Sequence, residues 1–120
     1  MSRQLNILVL DDDTEIADSL AELFAMEDHR VIVAYDGASA VDAFRRHKVD
    51  VGFFDVMMPG KNGVESFIEI KSQNPDAKVY FMTGYSADDL LNAARAAGCL
   101  GIFNKPVDLP QMLETLDRVA

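Results

Sequence analysis

The sequence predicts an α/β domain built on a parallel sheet, and three observations carry that reading. Five short apolar runs, residues 5–10, 31–35, 49–54, 79–82 and 100–103, recur along the chain. Each is followed by a stretch whose apolar residues fall at helical intervals. The runs are continuously apolar, the pattern of strands covered on both faces, as parallel strands are. Strands and helices in strict alternation pack as helices laid against a parallel sheet.

Each element can be justified in turn. The first run ends at Asp11-Asp12-Asp13. From Thr14 onward Ile16, Leu20, Leu23 and Phe24 form one helical stripe, with Asp18 and Glu22 on the other side. Asp13 or Thr14 caps that helix. The second run closes in an Asp36-Gly37 turn, and the helix after it turns Ala40, Val41 and Phe44 inward. The third run ends at Asp55, before a loop with strong turn chemistry, Pro59-Gly60-Lys61-Asn62-Gly63. Its helix is expected to bury Val64, Phe67 and Ile68 and to stop at Asn74-Pro75. The fourth run ends at Thr83. The helix after Ser86 carries Leu90, Leu91, Ala94 and Ala97 and closes at Gly98. The fifth run stops just before Lys105-Pro106, and the last helix is expected to bury Leu109, Met112, Leu113 and Leu116. No linker, low-complexity stretch or repeat beyond the β–α unit interrupts residues 1–120, which read as one domain.

Composition narrows the function. Hydrophobic residues at 49% and charged residues at 26% exclude wholesale disorder. Eleven Lys and Arg against twenty Asp and Glu leave a net charge of −9, which argues against DNA or an anionic membrane as partner. Cys99 is the one cysteine and can form neither an internal disulfide nor a structural zinc site. No signal-peptide core follows the start, and no apolar run is long enough to span a bilayer. A soluble, cytoplasmic domain is expected.

Ligands of open parallel sheets bind outside the carboxyl ends of the strands. The polar residues there are Asp11, Asp12 and Asp13, Asp55, Thr83 and Lys105. Each alone has a bland reading: helix capping for the triplet, a turn for Asp55, a solvated group for Thr83 or Lys105. Together they make a site. Clustered carboxylates raise one another's pKa unless a cation is present, and hard oxygen ligands suit Mg²⁺. A lysine and a hydroxyl beside the cation complete a phosphoryl-transfer arrangement in which one carboxylate is the nucleophile. Neither His29 nor His47 is placed for general-base work.

Four blocks carry a family resemblance. Ile7-Leu8-Val9-Leu10-Asp11-Asp12-Asp13, Phe53-Phe54-Asp55-Val56-Met57-Met58-Pro59-Gly60, Phe81-Met82-Thr83-Gly84 and Phe103-Asn104-Lys105-Pro106 together resemble the receiver domain of two-component response regulators. The resemblance covers essentially the whole chain and implies a flavodoxin-like, doubly wound sheet of order 2-1-3-4-5. It further implies that Asp55 is the phosphoacceptor and that Thr83 and Lys105 hold the phosphoryl oxygens. Asp12 would ligate Mg²⁺ (or Mn²⁺ in its place) directly and Asp11 through water, with the backbone carbonyl of Met57 a further ligand and Asp55 completing the set. Implied partners are a sensor histidine kinase or histidine phosphotransfer protein, and a downstream target or attached output domain. Such a domain assists its own phosphorylation and dephosphorylation rather than acting as an enzyme on a separate substrate. It is a monomer or a weak, phosphorylation-dependent dimer.

Three departures from the pattern stand out. Ile102 stands where the family commonly has a switching aromatic residue, with Phe103 expected on the opposite face. Gly84 replaces the commoner Ala. Leu100 and Gly101 stand where many DNA-binding members carry two acids used in dimerisation.

Three other classes fit less of the chain. Haloacid-dehalogenase-type phosphohydrolases need Thr or Val where Glu15 stands, and a cap domain has no room. Flavodoxin-like FMN binding needs a hydroxyl- and glycine-rich loop where the three aspartates would repel phosphate. A non-phosphorylated interaction module leaves the acid–Thr–Lys set without a purpose.

Overall fold

The computed structural model describes residues 3–84 and 88–119. Five strands alternate with five helices: β1 (Asn6–Leu10), α1 (Thr14–Met26), β2 (Arg30–Ala34), α2 (Gly37–Arg46), β3 (Val51–Asp55), α3 (Gly63–Gln73), β4 (Val79–Thr83), α4 (Asp88–Ala96), β5 (Gly101–Asn104) and α5 (Leu109–Val119). All strand pairings are parallel, in the order β2-β1-β3-β4-β5. This is the flavodoxin-like order that the resemblance implies.

Strand alternation sorts the apolar runs into two half-cores. Leu8, Leu10, Phe54 and Phe81 face α2, α3 and α4. Ile7, Val9, Phe53, Met82 and Phe103 face α1 and α5. Both faces being covered explains why β1 and β3 contain almost no polar residue before their last position. Rings give each half its centre: Phe53 stacks on Phe24 at 5.3 Å, and Phe81 meets Phe67 edge-on at 5.6 Å. Ile102 packs, half-buried, on the face opposite Phe103, as alternation requires.

Capping fixes where the helices begin. Asp13, not Thr14, caps α1, accepting the N–H groups of Glu15 and Ile16. Asp36 caps α2 by accepting the Ser39 N–H, so Gly37 opens that helix instead of completing a turn. Asn62 and Glu65 form a reciprocal capping box at α3. Beyond α4, Gly98 adopts φ +93°, the left-handed closure expected of a glycine there. The expected start of this helix at Ser86 lies outside the described residues. His29 accepts the Leu5 N–H through Nδ1, a structural role, and His47 ends α2.

Two burial expectations are corrected. Ile68 is 47% exposed, while Ser66 and Ile70 are buried. The cause lies on α2. A Cβ at Gly37 would fall 2.3 Å from Ser66 Oγ, so the bare glycine lets α3 roll its Ser66 side inward and turn Ile68 outward. Leu109 is 41% exposed because it opens α5 beside a groove that α1 lines with Ile16 and Leu20 and that, among the described residues, no element covers. Among the described residues, no helix is long and apolar enough to cross a membrane.

Candidate functional site

β1 and β3 are neighbours, so the sheet carries Asp11 and Asp55 to the same edge at the point where strand order reverses. One carboxylate oxygen from each of Asp11, Asp12 and Asp55 falls within 4.8 Å of the others. Their surroundings differ. Asp11 is fully buried and both its oxygens are engaged, one by the Asp13 N–H at 3.0 Å and the other by Lys105 Nζ at 2.9 Å. Asp12 is exposed. Asp13 spends its carboxylate on the α1 cap and stays out of the cluster.

Lys105 reaches in from the far end of β5 and spans two acids, with Nζ 3.3 Å from Asp55 Oδ1 as well. The sequence places Lys105 at the site but does not reveal this double clamp. Its backbone N–H donates to the Thr83 carbonyl at 2.8 Å, tying the ends of β4 and β5 together. Thr83 itself is buried. Asp11, Asp12, Asp13, Asp55, Met57, Gly84 and Lys105 surround an open cleft of about 560 Å³. The structure thus brings together Asp11, Asp12, Asp55 and Lys105, with Asp13 turned to the helix and Thr83 joined to Lys105 through its backbone carbonyl.

Electrostatics follow from that crowding. Burial, then the Asp11 and Asp12 charges, push the Asp55 carboxyl up to about 6, against the pull of Lys105. Burial works to lower the Lys105 ammonium, but the hydrogen bond to Asp11 and the Asp55 charge outweigh it, and its pKa is raised. The site holds more negative charge than one ammonium neutralises. Clustered hard oxygens with surplus charge are the donor set a small divalent cation takes, so the residues present fit Mg²⁺.

Among the described residues, Gly84 at the rim has space around it. A Cβ there would lie 3.9 Å from Lys105 Cβ, an ordinary contact. Gly84→Ala should therefore fold, keep its Mg²⁺ affinity, and gain up to about 0.5 kcal/mol by restricting the unfolded chain. A melting curve lowered by several degrees would contradict this.

A doubly wound sheet with carboxylates gathered at its switch point and a lysine bridging two of them defines a class of cation-binding site. Comparison with known proteins gives the family. The model of the response regulator receiver domain matches residues 7–117, and the chain belongs to that family. It is 34% identical over 107 residues to a response regulator receiver protein of Anaeromyxobacter sp. (strain Fw109-5), covering 89% of this chain and 45% of that protein. It is 28% identical over 112 residues to sporulation initiation phosphotransferase F of Bacillus subtilis (strain 168), covering 93% of this chain and 90% of that one. The chain thus spans about half the length of the first relative and nearly all of the second. Among solved structures, a CheY-like receiver domain protein from Methanospirillum hungatei JF-1 superposes with a TM-score of 0.88 at 26% identity, covering 98% and 97% of the two chains.

Proposed function

We propose that residues 1–120 form one receiver domain that accepts a phosphoryl group on Asp55 and changes conformation to control an output. The observation that carries this is the convergence of Asp11, Asp12 and Asp55 beneath the Lys105 ammonium. The donor is a phosphohistidine of a sensor kinase or phosphotransfer protein, in keeping with the likeness to a phosphotransferase over nearly its whole length.

Asp12, exposed and facing the cleft, would hold Mg²⁺ directly. Asp11, whose oxygens are engaged, would hold it through water, with Asp55 and the Met57 carbonyl completing the set. Mn²⁺ would substitute. The bound cation supplies neutralisation of charge on the transferring phosphoryl oxygens.

The remaining chemistry belongs to the chain. An Asp55 carboxylate oxygen forms a bond to phosphorus as the phosphorus–nitrogen bond breaks, and that bonding pair stays on the departing imidazole. The product is an acyl phosphate. Lys105 leaves Asp11 for a phosphoryl oxygen, and the Thr83 hydroxyl donates to another. Water attacking phosphorus later breaks the bond to the Asp55 oxygen, releasing inorganic phosphate and the free carboxylate, so the domain promotes its own phosphorylation and dephosphorylation. Intact-mass measurement of the protein incubated with acetyl phosphate tests the reading. One added phosphate with Mg²⁺ and none with a chelator is expected, and no gain with Mg²⁺ refutes it.

The setting we infer is the cytoplasm, as a monomer or a weak dimer formed on phosphorylation, read by a downstream protein or an attached output domain. Nucleic acid and membrane play no direct part. Ile102 makes the switch unusual. It is β-branched, half-buried and without a polar tip, so it cannot fill space as a ring would. The loop at residues 84–87 is then the surface a partner reads, of which residues 85–87 lie outside the described residues. On adding beryllofluoride and Mg²⁺, chemical shifts should change most at Thr83 and Gly84 and little at Asp88, Asn92, Ile102 and Gln111. Equal changes at Ile102 and Gln111 would overturn that expectation.

A further inference from the structure

We propose that Gly63 is a positioning residue for Asp55: its missing side chain lets the start of α3 close directly onto the backbone of the phosphoacceptor. The inference rests on the reading of Asp55 given above and concerns what holds that residue in place.

Asp55 ends β3, and the next residue, Val56, has its backbone gripped on two sides. On one side the β4 ladder continues past it, with the Val56 N–H donating to the Met82 carbonyl at 3.1 Å. On the other, the Gly63 N–H donates to the Val56 carbonyl at 3.1 Å, closing the loop that contains Met57. Gly63 is buried, and a Cβ there would sit 1.9 Å from the Asp55 carbonyl oxygen and 3.5 Å from the Phe81 ring. Tolerated Cβ contacts begin near 3.0 Å, so any side chain must part α3 from β3 by about 1 Å. The atom in the way is backbone, which no rotamer can move aside. Displacements of that size at a reacting group cost up to about a hundredfold in rate.

Gly52, near the other end of the same strand, provides a control. A Cβ there meets the Phe54 ring at 2.7 Å, a side chain of the α2–α3 half-core and not the backbone of Asp55. Both Gly52→Ala and Gly63→Ala introduce a clash on β3, but only the second pushes on Asp55. Three quantities separate them: melting temperature, Mg²⁺ dissociation constant by calorimetry, and the rate of phosphoryl uptake from acetyl phosphate. Gly52→Ala should melt lower yet bind Mg²⁺ within about twofold of wild type, since its clash is with a ring in the core, whose strain is taken up as lost stability. Gly63→Ala should bind Mg²⁺ at least about tenfold more weakly and take up phosphate about 10- to 100-fold more slowly. Equal Mg²⁺ affinity in the two variants overturns the proposal.

If Gly63→Ala does not fold, Asn62→Ala loosens the same helix start without adding an atom, by removing the cap on the Glu65 N–H. A loss of about threefold in Mg²⁺ affinity is then expected from loosening the helix start, and an unchanged affinity refutes the role. A wild type that binds Mg²⁺ but takes up no phosphate removes the phosphoacceptor reading alone, because the Mg²⁺ affinities still decide the role of Gly63. A wild type without Mg²⁺ affinity overturns both.

Discussion

Asp55→Asn is expected to take up no phosphoryl group and, free of metal at neutral pH, to melt higher than the wild type. Loss of uptake follows because an amide has no anionic oxygen to attack phosphorus. The gain in stability follows from linkage. Asp55 has a folded-state pKa of about 6 against an ordinary value of 3.8. A carboxyl raised in this way favours the fold while protonated, and that contribution disappears as pH rises from about 4 through 6. Above pH 6 the buried charge therefore costs about 3 kcal/mol before solvent screening and on the order of 2 kcal/mol with it. Asparagine never bears that charge. The gap between the two melting curves should open between pH 4 and 6, stay level above it, and narrow when millimolar Mg²⁺ neutralises the wild-type site. Equal phosphate uptake by both proteins would remove Asp55 from its role, and a pH-independent gap would contradict its raised pKa.

Lys105→Met should act in the opposite direction on stability. Asp11 is fully buried and relies on the Lys105 ammonium at 2.9 Å, so the substitution leaves a buried carboxylate with only the Asp13 N–H. Breaking such a pair from one side typically costs about 3 kcal/mol. The lysine pKa is raised by its partners, so its contribution persists through neutral pH and is lost only in strong alkali. The metal-free deficit should therefore be constant between pH 7 and 9. Mg²⁺ should restore more stability to this variant than it adds to the wild type, since no ammonium competes for Asp11 and Asp55. Phosphoryl uptake should slow for want of a cation on the transferring oxygens. A variant as stable as wild type without metal would mean that Asp11 does not need the lysine.

The fold was legible because each run and each helical stripe pointed to the same architecture. The continuous apolar strands announced burial on both faces, and the residue types at the strand ends announced the site. Local period could not show how far a helix rolls. Ile68 fits the stripe of Val64 and Phe67, yet the space left by Gly37, distant in sequence, turns α3 away from it. Leu109 failed for a related reason: its periodicity is sound, but the first turn of a helix needs a neighbour to cover it. Three consecutive aspartates likewise look equivalent in sequence. Their division into a buried acid, an exposed one and a helix cap depends on where the chain turns after β1. Gly63 read as turn chemistry beside Asn62, because the backbone it approaches belongs to another element.

The link from the Lys105 N–H to the Thr83 carbonyl has a mechanical consequence. Among the described residues β5 lies at the edge of the sheet and pairs with β4 alone, so the two strands form a leaf hinged along β3. Thr83 and Lys105 sit at the free tip of that leaf, joined by a 2.8 Å bond between their backbones. Neither residue can travel far without dragging the other or breaking that bond. A pull on the hydroxyl and a pull on the ammonium are thus loads on one lever, and relaxation measurements should find both residues exchanging at a single rate.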